Sequence, residues 1–396
     1  MSGLVLMLSA AHPPEDVRIV AKEGAALAAA GFYVGHLAPG EPACSTLHGV
    51  ALHGHARRGR GWRGRLFGIP ALAREAAALR PAVIHAHEPD SWLAALLAAR
   101  RCGARVVLDV HEHYPSRLDP RLPRALRPLG RAALAALCRL LAARADAVVL
   151  AKDGLAQDFG GAAHCTEVRN YGADPGIAPR THGAGPLRLL HLGALGESRG
   201  AFTMLDALAL LPPETRLVLV GRFTDGSEGA FEDCARSLGV AGRIEKHGWL
   251  PHRQALECAA GCDVALVLFQ PGVENHRLAL PHKLFDAMVL GLPVIVPEFA
   301  EQVARVVAEA GCGLALDTAD PSRVAAGLQL LSDPALRATM GARGRAAALT
   351  CFGWEGEAAR LVALYRRLLP AASMSAQQQG AVADGSERLL GVALRR

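Results

Sequence analysis

Apolar and polar positions alternate along the chain in two rhythms. Short apolar runs, "LVLMLSA" at 4–10, "FYVGHLA" at 32–38, "AVIHAH" at 82–87, "ARVVLDVH" at 104–111 and "ADAVVLA" at 145–151, alternate with helically spaced stretches at 16–30, 90–101 and 129–144. Apolar runs of this kind suit strands covered on both faces, and helices between them make the βαβ units of a parallel sheet. Periodicity is lost around "YGADPGIAPRTHGAGP", 171–186, where Gly and Pro crowd as they do in linkers. It then restarts with "LRLLHLG", "RLVLVG", "IEKHG", "DVALVLF" and "PVIVP", separated by helical stretches, and a last helix covers "WEGEAARLVALYRRLL" at 354–369.

This reading predicts an α/β protein of two Rossmann-like parallel-sheet domains facing each other across a cleft. Residues 1–180 form the N-terminal domain, 181–353 the C-terminal one, 354–370 a helix packing back on the first domain, and 371–396 a disordered tail of small and polar residues. Open parallel sheets bind ligands beyond the carboxyl ends of their strands, so the site is expected in that crevice.

Composition narrows the class. At 396 residues and 51% hydrophobic the chain has ample core for two domains. It has no charge-free apolar run of spanning length and no basic leader before "LVLMLSA", so neither a membrane span nor a signal peptide is expected and a cytoplasmic protein is predicted. Nine scattered Cys agree with a reducing compartment. Cys258 and Cys262 stand one helical turn apart near His252, but without further ligands at motif spacing they read as buried small hydrophobes, and no metal site is expected.

The formal charge of +6 is uneven. Residues 1–180 hold 22 Lys and Arg against 15 Asp and Glu, a net +7, whereas 181–396 hold 21 against 22, a net −1. Two segments carry much of the excess: "RRGRGWRGR" at 57–65 and "RLPRALRPLGRAALAALCRLLAAR" at 121–144, in which Pro123 and Pro128 limit the continuous helix to about 129–144. Such segments suit peripheral contact with an anionic membrane as well as a plain solvated face. No nucleic-acid partner is expected.

The stretch "LALPHKLFDAMVLGLPVIVPEF", 278–299, combines a Lys and a carboxylate at a helix start with an otherwise apolar pattern. Lys283 in the first turn opposes the helix dipole, a conflict that a bound anion would relieve. A carboxylate such as Asp286 accepts both hydrogens of a vicinal diol.

The order P-x-K-L-F-[DE]-x-M-x-x-G-L-P-V-I resembles the donor-binding signature of retaining family-4 glycosyltransferases of the GT-B fold. "HPPEDVRIVAKEGAALAAAGFYV" is similar to that family's first loop and helix, "VIHAHEPD" to its H-x-H-E-P strand end, and "LHLGALGESRGAFTMLDAL" with "RLVLVGRF" to its phosphate-binding strand-loop-helix. The resemblance covers nearly all of 1–370. It implies that Asp286 binds the ribose of a nucleotide sugar, with Arg222, Glu274, Asn275, His276 and Leu280 also on the donor. It further implies that Arg199 and Lys283 hold the diphosphate and that His87 stands near the transferring sugar. His12, Arg18, His111 and Glu112 belong with the acceptor or cleft, and Asn170 with an interdomain turn. His85 shares a strand face with His87 and reads chiefly as a packed residue.

The sequence departs from the family at several points. Where the first Glu of the Glu-x7-Glu pair stands in the family, this chain has Leu278, and Ala194 and Leu195 occupy the usual Arg position after the strand. The glycine pair of the first loop is replaced by "HPPED". Glu274, Asn275 and His276 are the polar groups that could substitute for the missing Glu. The resemblance implies transfer from a nucleoside diphosphate sugar with retention, without a cofactor or metal since no D-x-D triad stands out. The acceptor would be a lipid-linked precursor of a surface polysaccharide or glycolipid, or a small-molecule scaffold. A sugar-nucleotide epimerase on the same fold and a non-catalytic homologue are the competing classes.

Overall fold

A computed structural model of the chain describes residues 3–40, 45–56, 61–161 and 164–369. The expected tail at 371–396 and positions 57–60 of the first basic segment lie outside these residues. The chain divides into two compact units, one of residues 1–169 with 355–396, the other of residues 170–354.

The first unit is built on an eight-stranded sheet in the order β3-β4-β2-β1-β5-β6-β7-β8. Its strands are β1 (Leu4–Leu8), β2 (Tyr33–Pro39), β3 (Ser45–Leu47), β4 (Val50–His55), β5 (Val83–Ala86), β6 (Arg105–Val110), β7 (Ala147–Leu150) and β8 (Cys165–Glu167). Every pairing is parallel except β3 with β4, a short hairpin at the edge. All five residues of β1 are buried, as a central strand covered on both faces requires.

The helix after β1 is unusual. Residues Val17–Gly24 adopt the wide π turn before the chain tightens into an α-helix over Ala25–Ala29. Asp16 caps it, accepting hydrogen bonds from the amides of Arg18 (2.9 Å) and Ile19 (3.1 Å). In a π turn, residues five apart share a face, so Arg18 and Glu23 both point into the sheet. A Cβ at Gly24 would come 2.7 Å from Val50 Cγ2, so only glycine lets this turn approach β4 so closely.

The second basic segment forms a helix over Arg127–Ala142, starting earlier than the sequence suggested, because Pro128 sits in the first turn, where its missing N–H is harmless. Ala135, Cys138, Leu141 and Ala142 are buried, whereas Leu129, Leu137 and Leu140 face outward.

The second unit holds a six-stranded, all-parallel sheet in the order β11-β10-β9-β12-β13-β14. These are β9 (Arg188–Leu192), β10 (Arg216–Val220), β11 (Ile244–Gly248), β12 (Val264–Leu266), β13 (Val294–Pro297) and β14 (Gly313–Leu316). The Gly- and Pro-rich segment expected to close the first domain belongs to this unit. Arg180 donates its amide to Leu290 O (2.8 Å) and its guanidinium to Asp263 (2.9 Å), and His182 Nε2 donates to Gly291 O (2.9 Å). The boundary therefore falls at Asn170 rather than after residue 180, since these bonds fix the segment as a wall of the second sheet.

From Glu355 onward the helix Trp354–Leu368 returns to the first unit. Glu357 accepts the amide of Arg169 (2.8 Å), and Tyr365 sets its ring against Phe32 (centroids 5.9 Å) and His85 (6.0 Å). Among the described residues no helix is long and apolar enough to cross a membrane.

Candidate functional site

In the second unit the candidate donor residues gather where β9 and β12 end. β9 delivers His191, and a turn through Gly196 brings Arg199 to the start of the helix Ala201–Ala209. That turn is pinned by Asp225, whose carboxylate accepts the Glu197 amide at 2.8 Å. It ends at Gly200, in the left-handed region at φ 81°, where a Cβ would stand 2.3 Å from Leu268 O. The chain leaving β12 carries Phe269. Over its ring lie Arg199, with Cζ 5.9 Å from the centroid, and Lys283, with Nζ also at 5.9 Å.

Lys283 is the second residue of the helix His282–Val289, and its Nζ lies 3.2 Å from His191 Nε2. Burial, with the charge of Arg199 adding to it, pushes the ammonium down to about 7. Burial and the same cations keep the His191 imidazole well below its ordinary value, hence neutral. Arg199 and a lysine that an arriving anion would protonate are thus held in partly dry surroundings beside a helix N-terminus, an arrangement that suits a polyanion.

Asp286 lies a turn into that helix and is only 6% exposed, so it belongs to a buried face and not to the open helix start suggested by the sequence. His252 Nε2 stands 3.5 Å from its Oδ1. The sequence pattern sets His252 only near Cys258 and Cys262 and gives it no place beside Asp286.

The remaining donor candidates separate. Arg222 follows β10 and is exposed. Glu274 pairs with Arg277 at 2.7 Å, and Asn275 shares its short helix, Glu274–Arg277. His276 is committed to packing, its ring stacked on Phe269 at 4.5 Å and 15°. Leu280 is a core residue, clustered with Phe269 and Leu284, because the chain must dive inward to start the next helix. Leu278 caps the short helix, where the family's carboxylate would stand.

In the first unit, Glu88 organises the strand ends. Its carboxylate accepts the amides of Ala10 (3.1 Å), Ala11 (3.0 Å) and His12 (3.0 Å), shaping the loop after β1. It also caps the helix Pro89–Cys102 with Ser91. His12 bonds Asp16 through Nδ1 (3.1 Å). Burial would lower the His12 pKa, but the Asp16 bond and the charges of Glu88, Asp16 and Asp109 raise it to about 8.

Arg18, His87 and His111 converge on Asp109, at distances of 3.1, 3.0 and 2.7 Å. Burial favours protonation of Asp109, yet Arg18 and His111 outweigh it and hold the carboxyl well below the usual range. His87, expected beside the transferring sugar, has a wholly buried ring, since Asp109 and the π-helix close over the end of β5. Arg18, expected to face the acceptor, is 5% exposed and spent on Asp109 and Glu23. His12 and His111 are partly exposed at these strand ends, and Glu112 pairs with Arg117.

Residues 17–166 match the family model described as Glycosyltransferase Family 4, and residues 178–347 the one described as Glycosyl transferases group 1. A D-inositol 3-phosphate glycosyltransferase of Xylanimonas cellulosilytica is 28% identical over 184 residues, 45% of this chain and 41% of that relative, so the match spans less than half its length. Among solved structures, sucrose-phosphate synthase from Thermosynechococcus elongatus aligns with TM-score 0.75 and 18% identity over 93% of this chain and 99% of that one. HepE of Anabaena, solved in complex with UDP and glucose, aligns with TM-score 0.67 and 15% identity over 92% and 99%. At such identities the structural likeness is one of fold. The two family models, taken in order, run through both parallel sheets, and the chain belongs to the family-4 glycosyltransferases of the GT-B fold.

Proposed function

We propose that the chain transfers a glycosyl group from a nucleoside diphosphate sugar to an acceptor, with retention at the anomeric carbon. The observation that carries this reading is the pair Arg199 and Lys283 over Phe269 at the start of the helix His282–Val289. The bond from the anomeric carbon to the diphosphate breaks, and negative charge grows on the leaving oxygen. Fixed cations and helix N–H groups stabilise that charge most where it peaks, in the transition state. The acceptor oxygen bonds to the same face of the anomeric carbon, and its proton passes to the departing diphosphate. With these groups in place no metal ion is needed at the diphosphate. Asp286 takes the ribose hydroxyls, with His252 within reach to orient it. HepE, with its UDP and glucose, supports a nucleotide sugar as donor.

The acceptor in this reading is lipid-linked, as in surface polysaccharide or glycolipid synthesis. Leu129, 70% exposed, and Leu137 and Leu140 stand outward on the helix Arg127–Ala142 beside exposed Arg124, Arg139 and Arg144, which suits peripheral contact with an anionic membrane. A small soluble acceptor is the second reading, favoured by the relative named for inositol 3-phosphate.

The test is a screen of nucleotide sugars for binding and hydrolysis by the purified full-length chain, then acceptor assays with membrane extract and soluble polyols. A nucleotide sugar consumed only with an acceptor is the expected result. Failure to bind any nucleotide sugar removes the reading, and an epimerised nucleotide without acceptor replaces it by an epimerase.

A further inference from the structure

Four side chains that play no part in the proposed transfer meet beneath the carboxyl ends of β5 and β6. Glu23, His85, His87 and Asp109 each bring one ligand-type atom within 4.8 Å of the others, and all four are buried. Their hydrogen bonding is unequal. Asp109 is saturated, accepting from Arg18 Nε (3.2 Å) and Nη2 (3.1 Å), from His87 Nδ1 (3.0 Å) and from His111 Nε2 (2.7 Å). Both nitrogens of His85, Nε2 of His87 and the Tyr365 hydroxyl find no hydrogen-bond partner among the described residues.

Glu23 has Arg18 Nη2 at 2.8 Å, but neither of its oxygens accepts a well-formed hydrogen bond. A proton shared between Glu23 and Asp109 would serve one carboxyl oxygen and no imidazole nitrogen. Leaving a buried polar atom unserved costs about 1–3 kcal/mol. One nitrogen of His85, Nε2 of His87 and the two Glu23 oxygens are lone-pair atoms, and their gathering in one place points to an occupant that takes lone pairs.

We propose that this cluster is a divalent transition-metal site of the zinc class, with His85, His87 and Glu23 as ligands and Asp109 orienting His87. Two imidazoles and one carboxylate form a donor set that holds zinc, with a further position for water. Asp109 receives the Nδ1–H of His87, which fixes the tautomer and turns the Nε2 lone pair toward the cluster, the support that metal-bound histidines usually have. Charge is compatible. Arg18 and Asp109 neutralise each other, so the ion meets one anionic carboxylate and two imidazoles.

The local backbone is shaped for the same end. The π turn swings Glu23 onto the face that Arg18 occupies, and strand alternation puts His85 and His87 side by side with ring centroids 4.7 Å apart. Such an ion would tie the first helix to β5 and β6, so that its binding free energy becomes folding free energy of the first unit.

The test uses the full-length chain, isolated from zinc-supplemented cells and, separately, stripped by chelator and reloaded with Zn²⁺ or Co²⁺. One equivalent of metal per chain is expected, with a higher Tm on loading with Zn²⁺ and none with Mg²⁺. The Co²⁺ protein should show visible bands without thiolate charge transfer. His85→Gln and Glu23→Gln should lose the metal, whereas Cys258→Ser, in the second unit, keeps it. Should the first two variants fail to fold, the parent protein's metal content, Tm response and Co²⁺ spectrum decide alone. Metal no higher than the buffer blank after both treatments, a thiolate band, or full occupancy in either folded variant overturns the proposal and leaves water or a shared proton in the cluster.

Discussion

Lys283 Nζ lies 3.2 Å from His191 Nε2, and the neutral imidazole cannot offset the cost of drying the ammonium beside it. Its pKa of about 7 leaves Lys283 poised between charged and neutral forms. An anion arriving there should draw a proton onto it.

Donor binding should therefore take up a proton above pH 7. Affinity for a nucleoside diphosphate should fall as pH rises from 7 to 9, by up to about tenfold per pH unit, the cost of protonating Lys283 first. The free protein should show the complementary trend. Its folded-state pKa lies below the unfolded value, so the penalty is full below about pH 7 and fades as pH climbs toward the ordinary lysine range; stability rises across that window. Calorimetry in buffers of different ionisation heats measures the uptake, and Lys283→Met should abolish it.

Asp286→Asn keeps the buried volume but removes the charge that would receive the ribose hydroxyls. Affinity for a nucleoside diphosphate should drop by about 1.5–3 kcal/mol, the worth of charged hydrogen bonds, with little change in Tm. An unaltered dissociation constant in titration calorimetry would remove Asp286 from the donor site.

Arg199→Ala and Lys283→Ala should each lower kcat by more than they weaken nucleoside binding, because leaving-group charge peaks in the transition state. Loss of one preorganised charge donor of this kind costs about 10²–10³ in kcat. Adding Mg²⁺ or Mn²⁺ should not raise the parent rate. A rate that depends on either ion would assign the diphosphate to a metal.

Leu129→Glu and Arg139→Glu should weaken binding to vesicles of anionic lipid, and salt should weaken the parent's binding too. Each Arg near such a surface is worth about 1 kcal/mol, so several give reversible attachment. Co-sedimentation at low and high salt measures it. A parent protein left in the supernatant at both would favour the soluble acceptor.

The central strands were legible because both faces are covered, which leaves uninterrupted apolar runs such as Leu4–Leu8 and Ala147–Leu150. Short or edge elements gave no comparable signal, among them the hairpin Ser45–His55 and β14, whose residues are only partly buried. Lys283 stood out because it opposes the helix dipole, and Arg199 only through the family resemblance; the structure sets both over Phe269. The Asp109 network could not. Arg18, His87 and His111 are each named by the resemblance, but their meeting on Asp109 joins the π turn to the ends of two strands, and a helix of ordinary period would not bring Glu23 beside Arg18. Glu88 escaped for a similar reason: its partners are backbone amides of a loop some 77 residues away in sequence.

The last helix leaves the second unit at Trp354 and finishes the first, so the first unit is discontinuous in sequence while the second is one unbroken insertion. During synthesis, the first sheet emerges from the ribosome well before Glu357 and Tyr365, the residues that cover Arg169 and His85. It must wait, incompletely clothed, while the second unit is translated and folds. A nascent chain arrested after residue 354 should hold a protease-resistant second unit beside a first unit that is readily cut, and release of the final helix should close that gap.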